Sequence, residues 1–354
     1  MPFCRECGKE VQATWKVCPH CTAPQSVENS TQSTDMSLRD SVIGGDVTIN
    51  QNNPEEMATA IVSVLDRLGF SAQGQPVSLN EAQQDEIREV LDVSDSLEQQ
   101  GIHLSPEIEM TLAKASQTVD DHDNTRKHYT RALVSATQTN DLGMIAGANM
   151  GLSNVALRIN NKEEALKYTK ASSDAAKQTG NMYRICNAML NQGRTELMIG
   201  ENTAGVSTLM QALQISRQEN YELTIASIQS NLANHYWKMK EFHKASDAAS
   251  ESLQLYKKIG GDKDDICRVT YNCSLINMDN GHFHLCEEQA REALTLAQSI
   301  GNRELEWELW MHLGNLYLVH YQLYEQANEY YRKYVSIHRE LGKPDDQWII
   351  DNGF

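Results

Sequence analysis

The C-terminal two-thirds of the chain is patterned for helices. From about residue 105 onward, apolar residues recur at three- and four-residue spacing, and polar or glycine-containing turns interrupt them at regular intervals. This spacing places apolar side chains on one face of an α-helix, and glycine or asparagine at the turns favours the left-handed conformation that ends a helix. The pattern therefore predicts one helix after another across 105–342.

These helices repeat with a fixed period. Small residues early in every second helix lie 40, 40, 41 and 41 residues apart, and a second set follows each of them by seven residues. One hairpin of about forty residues cannot bury its apolar face alone, so the copies are expected to stack. The sequence predicts about six stacked hairpins. The first set is Ala165, Gly205, Ala245, Cys286 and Ala327; the second is Ser172, Ala212, Ser252, Ala293 and Tyr334; Thr125 and Ala132 mark an earlier, degenerate copy.

Individual copies resemble the tetratricopeptide repeat (TPR). The segment Leu313–Tyr317, followed by Tyr324–Tyr331, looks like a TPR, as does Leu232–Tyr236 followed by Phe242–Ala245. HEAT repeats have similar lengths, but the small-residue pattern favours the TPR type, in a longer subclass of about forty residues. The resemblance implies an all-α fold, a TPR-type α-solenoid over 105–342, which binds a peptide or partner protein in a concave groove.

Two amphipathic helices are expected before the repeats, within 53–104. Asn53 is suited to cap the first helix and Pro54 to occupy its first position. An apolar stripe follows at helical spacing, and a second, acidic helix is expected from about Asn80 to Leu97. After the repeats, 343–354 is expected to form an apolar tail that covers the last hairpin.

The first 25 residues carry the strongest chemical signal. Two Cys-x-x-Cys pairs, Cys4 with Cys7 and Cys18 with Cys21, can supply four thiolates to one tetrahedral zinc ion, which leaves no open coordination position. The pattern predicts a structural zinc ribbon over 1–25. Unrelated reduced cysteines, a redox pair and His20 as a substitute ligand are the weaker interpretations. A flexible linker is expected over 26–52, with a short β-hairpin at 41–50.

Amide side chains recur along the first helix of successive hairpins. Because an amide both donates and accepts, such a ladder can pair with a peptide backbone, and arginines beside it can bind a carboxylate. The other interpretation is that these side chains are solvated or stabilise turns. The candidate groove residues are Asn191, Asn231 and Asn272 in one row, Asn154, Asn234 and Asn315 in a second, and Arg194 and Arg268 beside them.

The excess of acidic residues and the absence of recognisable motifs reduce the number of possible functions. With 31 basic against 48 acidic residues, the chain makes nucleic-acid binding an unlikely role. No membrane segment, secretory signal or catalytic motif is recognisable, so we expect a non-catalytic protein of the cytoplasm. His282, His284 and Cys286 form a weak alternative metal site, because Cys286 already fits the small-residue position.

Two functions remain at this point. The leading hypothesis is a protein-interaction scaffold that holds a peptide or partner protein in its groove, with zinc used only to fold the ribbon. The alternative is a regulator or sensor whose repeats bind a signalling peptide and whose ribbon contacts nucleic acid or the transcription machinery. For the 41–50 segment two interpretations stay open: it docks against the solenoid, or it pairs with another copy of the chain, which would give a homo-oligomer through residues 41–70.

Overall fold

A computed structural model of the chain describes residues 54–70, 79–345, 349 and 351. These residues form helices and turns, and no strand occurs among them. The predicted zinc ligands Cys4, Cys7, Cys18 and Cys21, the linker with its 41–50 hairpin, and residues 41–53 of the segment expected to form an oligomer lie outside the described residues. Those expectations therefore stay predictions.

The first of two compact units contains helices α1 (Pro54–Arg67) and α2 (Glu81–Gln99). Helix α1 begins at the proline, and α2 begins with a capping box in which the Asn80 side chain accepts from the Gln83 amide and the Gln83 side chain accepts from the Asn80 amide. An Arg67–Glu86 ion pair of 2.7 Å joins the two helices. Their apolar stripes are buried: Met57, Ile61 and Leu65 in α1, and Ile87, Val90, Leu91 and Leu97 in α2.

The second unit contains six helical hairpins among the described residues, as the forty-residue period predicts. Each hairpin packs against the next, so the unit is an α-solenoid. The hairpins are α3 (Pro106–Thr118) with α4 (His122–Thr139), α5 (Leu142–Arg158) with α6 (Lys162–Gln178), α7 (Met182–Ile199) with α8 (Asn202–Gln218), α9 (Glu222–Lys238) with α10 (Phe242–Ile259), α11 (Lys263–Asp279) with α12 (Phe283–Ile300), and α13 (Arg303–Asn315) with α14 (Tyr324–Glu340).

Short turns set the phase of the solenoid. Between hairpins, a left-handed residue ends each second helix, with φ of 56° at Asn140 and 66° at Gly180. The residue one or two positions later caps the following helix: the Asp141 side chain accepts from the Met144 amide, and the Asn181 side chain accepts from the Arg184 amide. These local preferences end and restart the helix within two residues, which makes the hairpins nearly identical in length.

Close helix crossings occur at the small residues. Ala165, Ala245, Cys286 and Ala327 are fully buried at the predicted positions. The α7–α8 crossing is tighter, since a Cβ on Gly205 would lie 2.7 Å from Leu197 and 2.9 Å from the backbone oxygen of Gly193. Only a residue without a side chain fits there, because protein interiors are close-packed.

Small polar side chains connect the two helices of a hairpin. The Ser172 hydroxyl of α6 donates to the carbonyl oxygen of Ala146 in α5 (2.8 Å), and Ser252 of α10 makes the equivalent bond to Ala226 in α9 (2.8 Å). Each bond satisfies a buried hydroxyl without adding bulk to the crossing. Serine at this position therefore suits the interface as well as alanine does.

The last hairpin departs from the regular pattern. Helix α13 continues into a π-helical turn, Leu316–Tyr321, before the left-handed residue Gln322 ends it. Such a turn accommodates an extra residue within a helix. Beyond α14, Ile349 is fully buried among Leu309, Tyr334 and other apolar residues of this hairpin.

The crossing at Gly205 is a direct test of the packing. We predict that Gly205→Val lowers the free energy of unfolding by about 1–3 kcal/mol, because the added side chain must displace Leu197 and the facing backbone. Ala204→Val, at an exposed position one residue earlier in the same helix, is the matched control. Urea unfolding of both variants checks this, and equal stability of the two would contradict the proposed crossing.

Candidate functional site

A cavity of about 500 Å³ lies between the first helices of four successive hairpins, α7, α9, α11 and α13. We call it the groove. The lining includes amides, hydroxyls, charged groups and a few apolar side chains, so most of it can form hydrogen bonds. The lining residues are Leu190, Asn191, Arg194, Ser227, Ser230, Asn231, Asn234, Tyr256, Asp265, Arg268, Val269, Tyr271, Asn272, Leu305 and Glu308.

The structure brings six of the eight predicted groove residues together in this lining. Asn191, Asn231 and Asn272 occupy the same turn of α7, α9 and α11 and form one row. Arg194 and Asn234 lie one turn further along α7 and α9. Side chains three positions apart share a helix face, which is why the two rows are adjacent.

Arg268 also lines the groove, whereas two predicted residues do not belong to the lining. Asn154 accepts a hydrogen bond from the guanidinium of Arg194 (2.8 Å) and so lies immediately beside the groove. Asn315 accepts from the hydroxyl of Tyr331 in the last hairpin (2.8 Å), which gives it a local structural role.

Two amides of the first row are oriented by their own helix. The Nδ2 group of Asn191 donates to the carbonyl oxygen of Asn187, and that of Asn231 donates to the carbonyl oxygen of Ser227, both at 2.8 Å. The Asn191 Nδ2 group also contacts the sulfur of Met150 at 2.9 Å. Fixing Nδ2 in this way leaves Oδ1 as a hydrogen-bond acceptor. The side chains of Asn272 and Asn234 form no hydrogen bond to any described residue. The Nδ2 donor and the Oδ1 acceptor of each can therefore pair with a ligand.

The two arginines of the groove differ in their pairing. Arg268 donates from Nε to the carboxylate of Asp264 at 2.6 Å, and this ion pair raises its pKa. Arg194 has no carboxylate within 4.0 Å among the described residues. Its Nε is buried and without a partner, and burial lowers its pKa. A desolvated guanidinium without a counter-ion is energetically unfavourable unless a ligand supplies one.

Two carboxylates at the α11–α13 end also line the groove, and neither was among the eight predicted groove residues. Asp265 and Glu308 have no ion-pair partner among the described residues. Burial, reinforced by Asp262 and Asp264, raises the pKa of Asp265, and burial with Glu304 raises that of Glu308. Helix periodicity in the sequence could have predicted both carboxylates, because they lie on the same helix faces as the asparagine rows.

Aliphatic and aromatic side chains form a substantial part of the lining: Leu190, Tyr256, Val269, Tyr271 and Leu305. Tyr271 is part of the lining, whereas Met150, Met311 and Trp237 are not. The ring of Tyr271 packs edge-on against His312 of α13 with centroids 5.6 Å apart. The Trp237 indole instead donates to the carboxylate of Asp279 at 2.6 Å, outside the lining.

A buried Ser–Cys–His cluster lies where α11, α12 and α13 meet. Ser274 Oγ lies 2.8 Å from His312 Nε2, and the sulfur of Cys286 is 3.5 Å from the same nitrogen. All three side chains are at most 3% exposed, and burial lowers the pKa of His312 to about 4. Because all three side chains are buried, the cluster contributes to the packing of α11, α12 and α13.

The alternative metal site at His282, His284 and Cys286 is not formed. Cys286 is fully buried in the small-residue position of its hairpin, while His282 and His284 are exposed at the start of α12. Within the described part of the chain, no group of three or more His, Cys, Asp or Glu side chains is arranged to hold a metal ion. None of the described helices has a stretch long and apolar enough to cross a membrane.

No family model matches the chain, and no curated protein matches it. Solved structures with similar folds do exist. A STAND signal-transduction ATPase with a tetratricopeptide repeat sensor, from Pyrococcus horikoshii, has a TM-score of 0.57 and 16% identity over 81% of this chain, which spans 45% of that chain. A Rap protein complexed with competence and sporulation factor has a TM-score of 0.54 and 15% identity, covering 84% of this chain and 78% of the other.

A third similar structure is NprR in complex with its cognate peptide NprX, with a TM-score of 0.53 and 13% identity, covering 80% of this chain and 78% of that one. At these identities the similarity shows the fold alone. The described C-terminal part of the chain is an all-α solenoid of the TPR type, as the repeat pattern predicts.

Proposed function

We propose that this chain is a non-catalytic scaffold that binds an extended peptide, or an extended segment of a partner protein, in the groove. The observation that carries this proposal is the row formed by Asn191, Asn231 and Asn272. Three successive hairpins present the same amide at the same position of one continuous cavity.

An amide row suits a peptide backbone. Successive backbone groups alternate donors and acceptors, and a side-chain amide can pair with either. The Oδ1 atoms of Asn191 and Asn231 can accept from peptide N–H groups, because their Nδ2 groups are occupied by their own helices. Such pairing holds a peptide by its main chain and leaves side-chain preferences to the charged groups of the groove.

The comparisons support the same class of ligand by analogy of fold. The NprR structure contains a bound peptide, and the Rap structure contains a bound factor. Folds do not determine function, so this support is weaker than that from the groove itself. Enzymatic activity is not part of the proposal, which concerns binding alone.

We further propose that Cys4, Cys7, Cys18 and Cys21 hold one structural zinc ion and that the protein acts in the cytoplasm. The support is the paired Cys-x-x-Cys spacing and the lack of any open coordination position in a four-thiolate site. In the alternative function, a regulator, the ribbon would contact nucleic acid. The low proportion of basic residues disfavours that role.

The amide row can be tested by Asn231→Ala combined with Asn272→Ala. We predict about tenfold weaker retention of random synthetic dodecapeptides on the immobilised full-length chain, because two neutral hydrogen bonds to the peptide backbone are lost. The melting temperature should change by no more than about 2 °C, since neither amide contacts another helix through a hydrogen bond.

The matched control is Gln211→Ala combined with Gln254→Ala, which removes two exposed amides from the second helices α8 and α10. It should retain peptides as the unmodified chain does. Equal retention by the asparagine variant and the control variant would rule out the amide row as the binding surface.

The zinc proposal has its own test. We predict one zinc ion per chain by elemental mass spectrometry of the purified protein, and less than a tenth of that in Cys4→Ser with Cys18→Ser. Cys186→Ser, which changes a buried cysteine of α7, should keep the full zinc content. Full zinc content in the double variant would show that these thiolates do not form the site.

A further inference from the structure

The charges left unpaired in the groove lie at opposite ends of it. Arg194, on α7, is the cationic group without a carboxylate partner, while Asp265 on α11 and Glu308 on α13 form no ion pair within 4.0 Å among the described residues. The charge of Arg268 acts on both carboxylates from a longer distance. Arg268 lies on the α11 side, but Asp264 already neutralises it at 2.6 Å. The groove therefore has a positive end and a negative end.

The positive end is built to receive an anion. The Asn154 oxygen accepts from one terminal nitrogen of Arg194 and thereby fixes the plane of the guanidinium. The Nε atom stays buried with no partner in the described structure. A guanidinium can pair with a carboxylate through two parallel N–H···O bonds, which would occupy two of the N–H groups that Asn154 leaves free.

The chemistry favours a carboxylate over a phosphate. Arg194 is a single cation among neutral amides and can neutralise the one negative charge of a carboxylate. A phosphate group carries up to two negative charges and is usually bound by several cations. The carboxylates of Asp265 and Glu308 in the same cavity would also repel a doubly charged ligand more strongly than a singly charged one.

The distance between the two ends limits the ligand. Packed helices lie about 8–10 Å apart, so two helix steps and the offset along the helices separate Arg194 from Asp265 by roughly 20–25 Å. An extended peptide covers this distance in roughly seven residues, at about 3.3 Å per residue.

We propose that the groove binds a bipolar extended peptide, whose carboxylate pairs with Arg194 and whose cationic group, roughly seven residues away, lies beside Asp265 and Glu308. This inference rests on the proposed peptide-binding function and adds the chemical class and the orientation of the peptide. The carboxylate can come from an aspartate or glutamate side chain or from the peptide C-terminus, since the same fork binds both.

The experiment uses the immobilised full-length chain and random synthetic dodecapeptides, made with either a free or an amidated C-terminus. Retained peptides are sequenced by mass spectrometry. The unmodified chain should enrich peptides that carry an acidic and a basic residue roughly seven positions apart. If amidation alone removes the enrichment, the carboxylate is the peptide terminus; if it does not, an acidic side chain is the source. Both results support the inference.

Two variants test the two ends separately, and a third is the control. Arg194→Gln should reduce the retention of carboxylate-bearing peptides about 10- to 100-fold, because a charge-assisted pair is lost, while the preference for basic residues persists. Asp265→Asn with Glu308→Gln should abolish the preference for basic residues, while the retention of carboxylate-bearing peptides persists. Arg332→Gln, at an exposed position of α14, is the control and should change neither preference.

Circular dichroism and the melting temperature establish that each variant is folded. Arg194→Lys, which keeps the positive charge but not the fork, should retain a weakened acidic preference and provides a second test if the glutamine variant unfolds. Retention of acidic peptides by Arg194→Gln at the level of the unmodified chain would overturn this inference while leaving the peptide-binding function intact. If the unmodified chain enriches no peptide at all, both proposals are overturned.

Discussion

The close approach of two helices at a small residue is the interaction on which the rest of the solenoid depends. Ala165, Gly205, Ala245, Cys286 and Ala327 let the second helix of each hairpin lie against the first, and the apolar faces of the hairpins are buried by their neighbours. Because the small residues recur every 40 or 41 positions, the same crossing is built repeatedly. The first helices then present equivalent positions side by side.

That regularity explains why a row of identical amides can exist. An asparagine at one position of α7, α9 and α11 is placed in one cavity only because the hairpins have nearly the same length and phase. The left-handed turn residues and the capping side chains at Asn140–Asp141 and Gly180–Asn181 maintain the phase between hairpins. Stability and the geometry of the groove therefore have a common origin in short-range backbone preferences and helix packing.

The sequence was sufficient for the repeat architecture and for the position of six of the eight candidate residues in one cavity, whereas their role in binding stays a prediction. The period could be read from small residues because packing restricts their size, and six of eight groove residues followed from helix periodicity alone. Asn315 was misplaced because its partner, Tyr331, comes from the facing helix, which periodicity along one helix does not reveal. The pairing of Arg268 and the isolation of Arg194 also required the structure, since both depend on neighbouring side chains.

The central claim is that an extended peptide lies across α7, α9 and α11, which are the first helices of three successive hairpins. Photo-crosslinking tests it most directly, with a peptide enriched from the random library and carrying a benzophenone side chain at successive positions. The account predicts that crosslinks, mapped by mass spectrometry of the digested complex, fall on these three helices in the order of the peptide positions. Crosslinks concentrated on the second helices α8, α10 and α12, or showing no order along the chain, would contradict it.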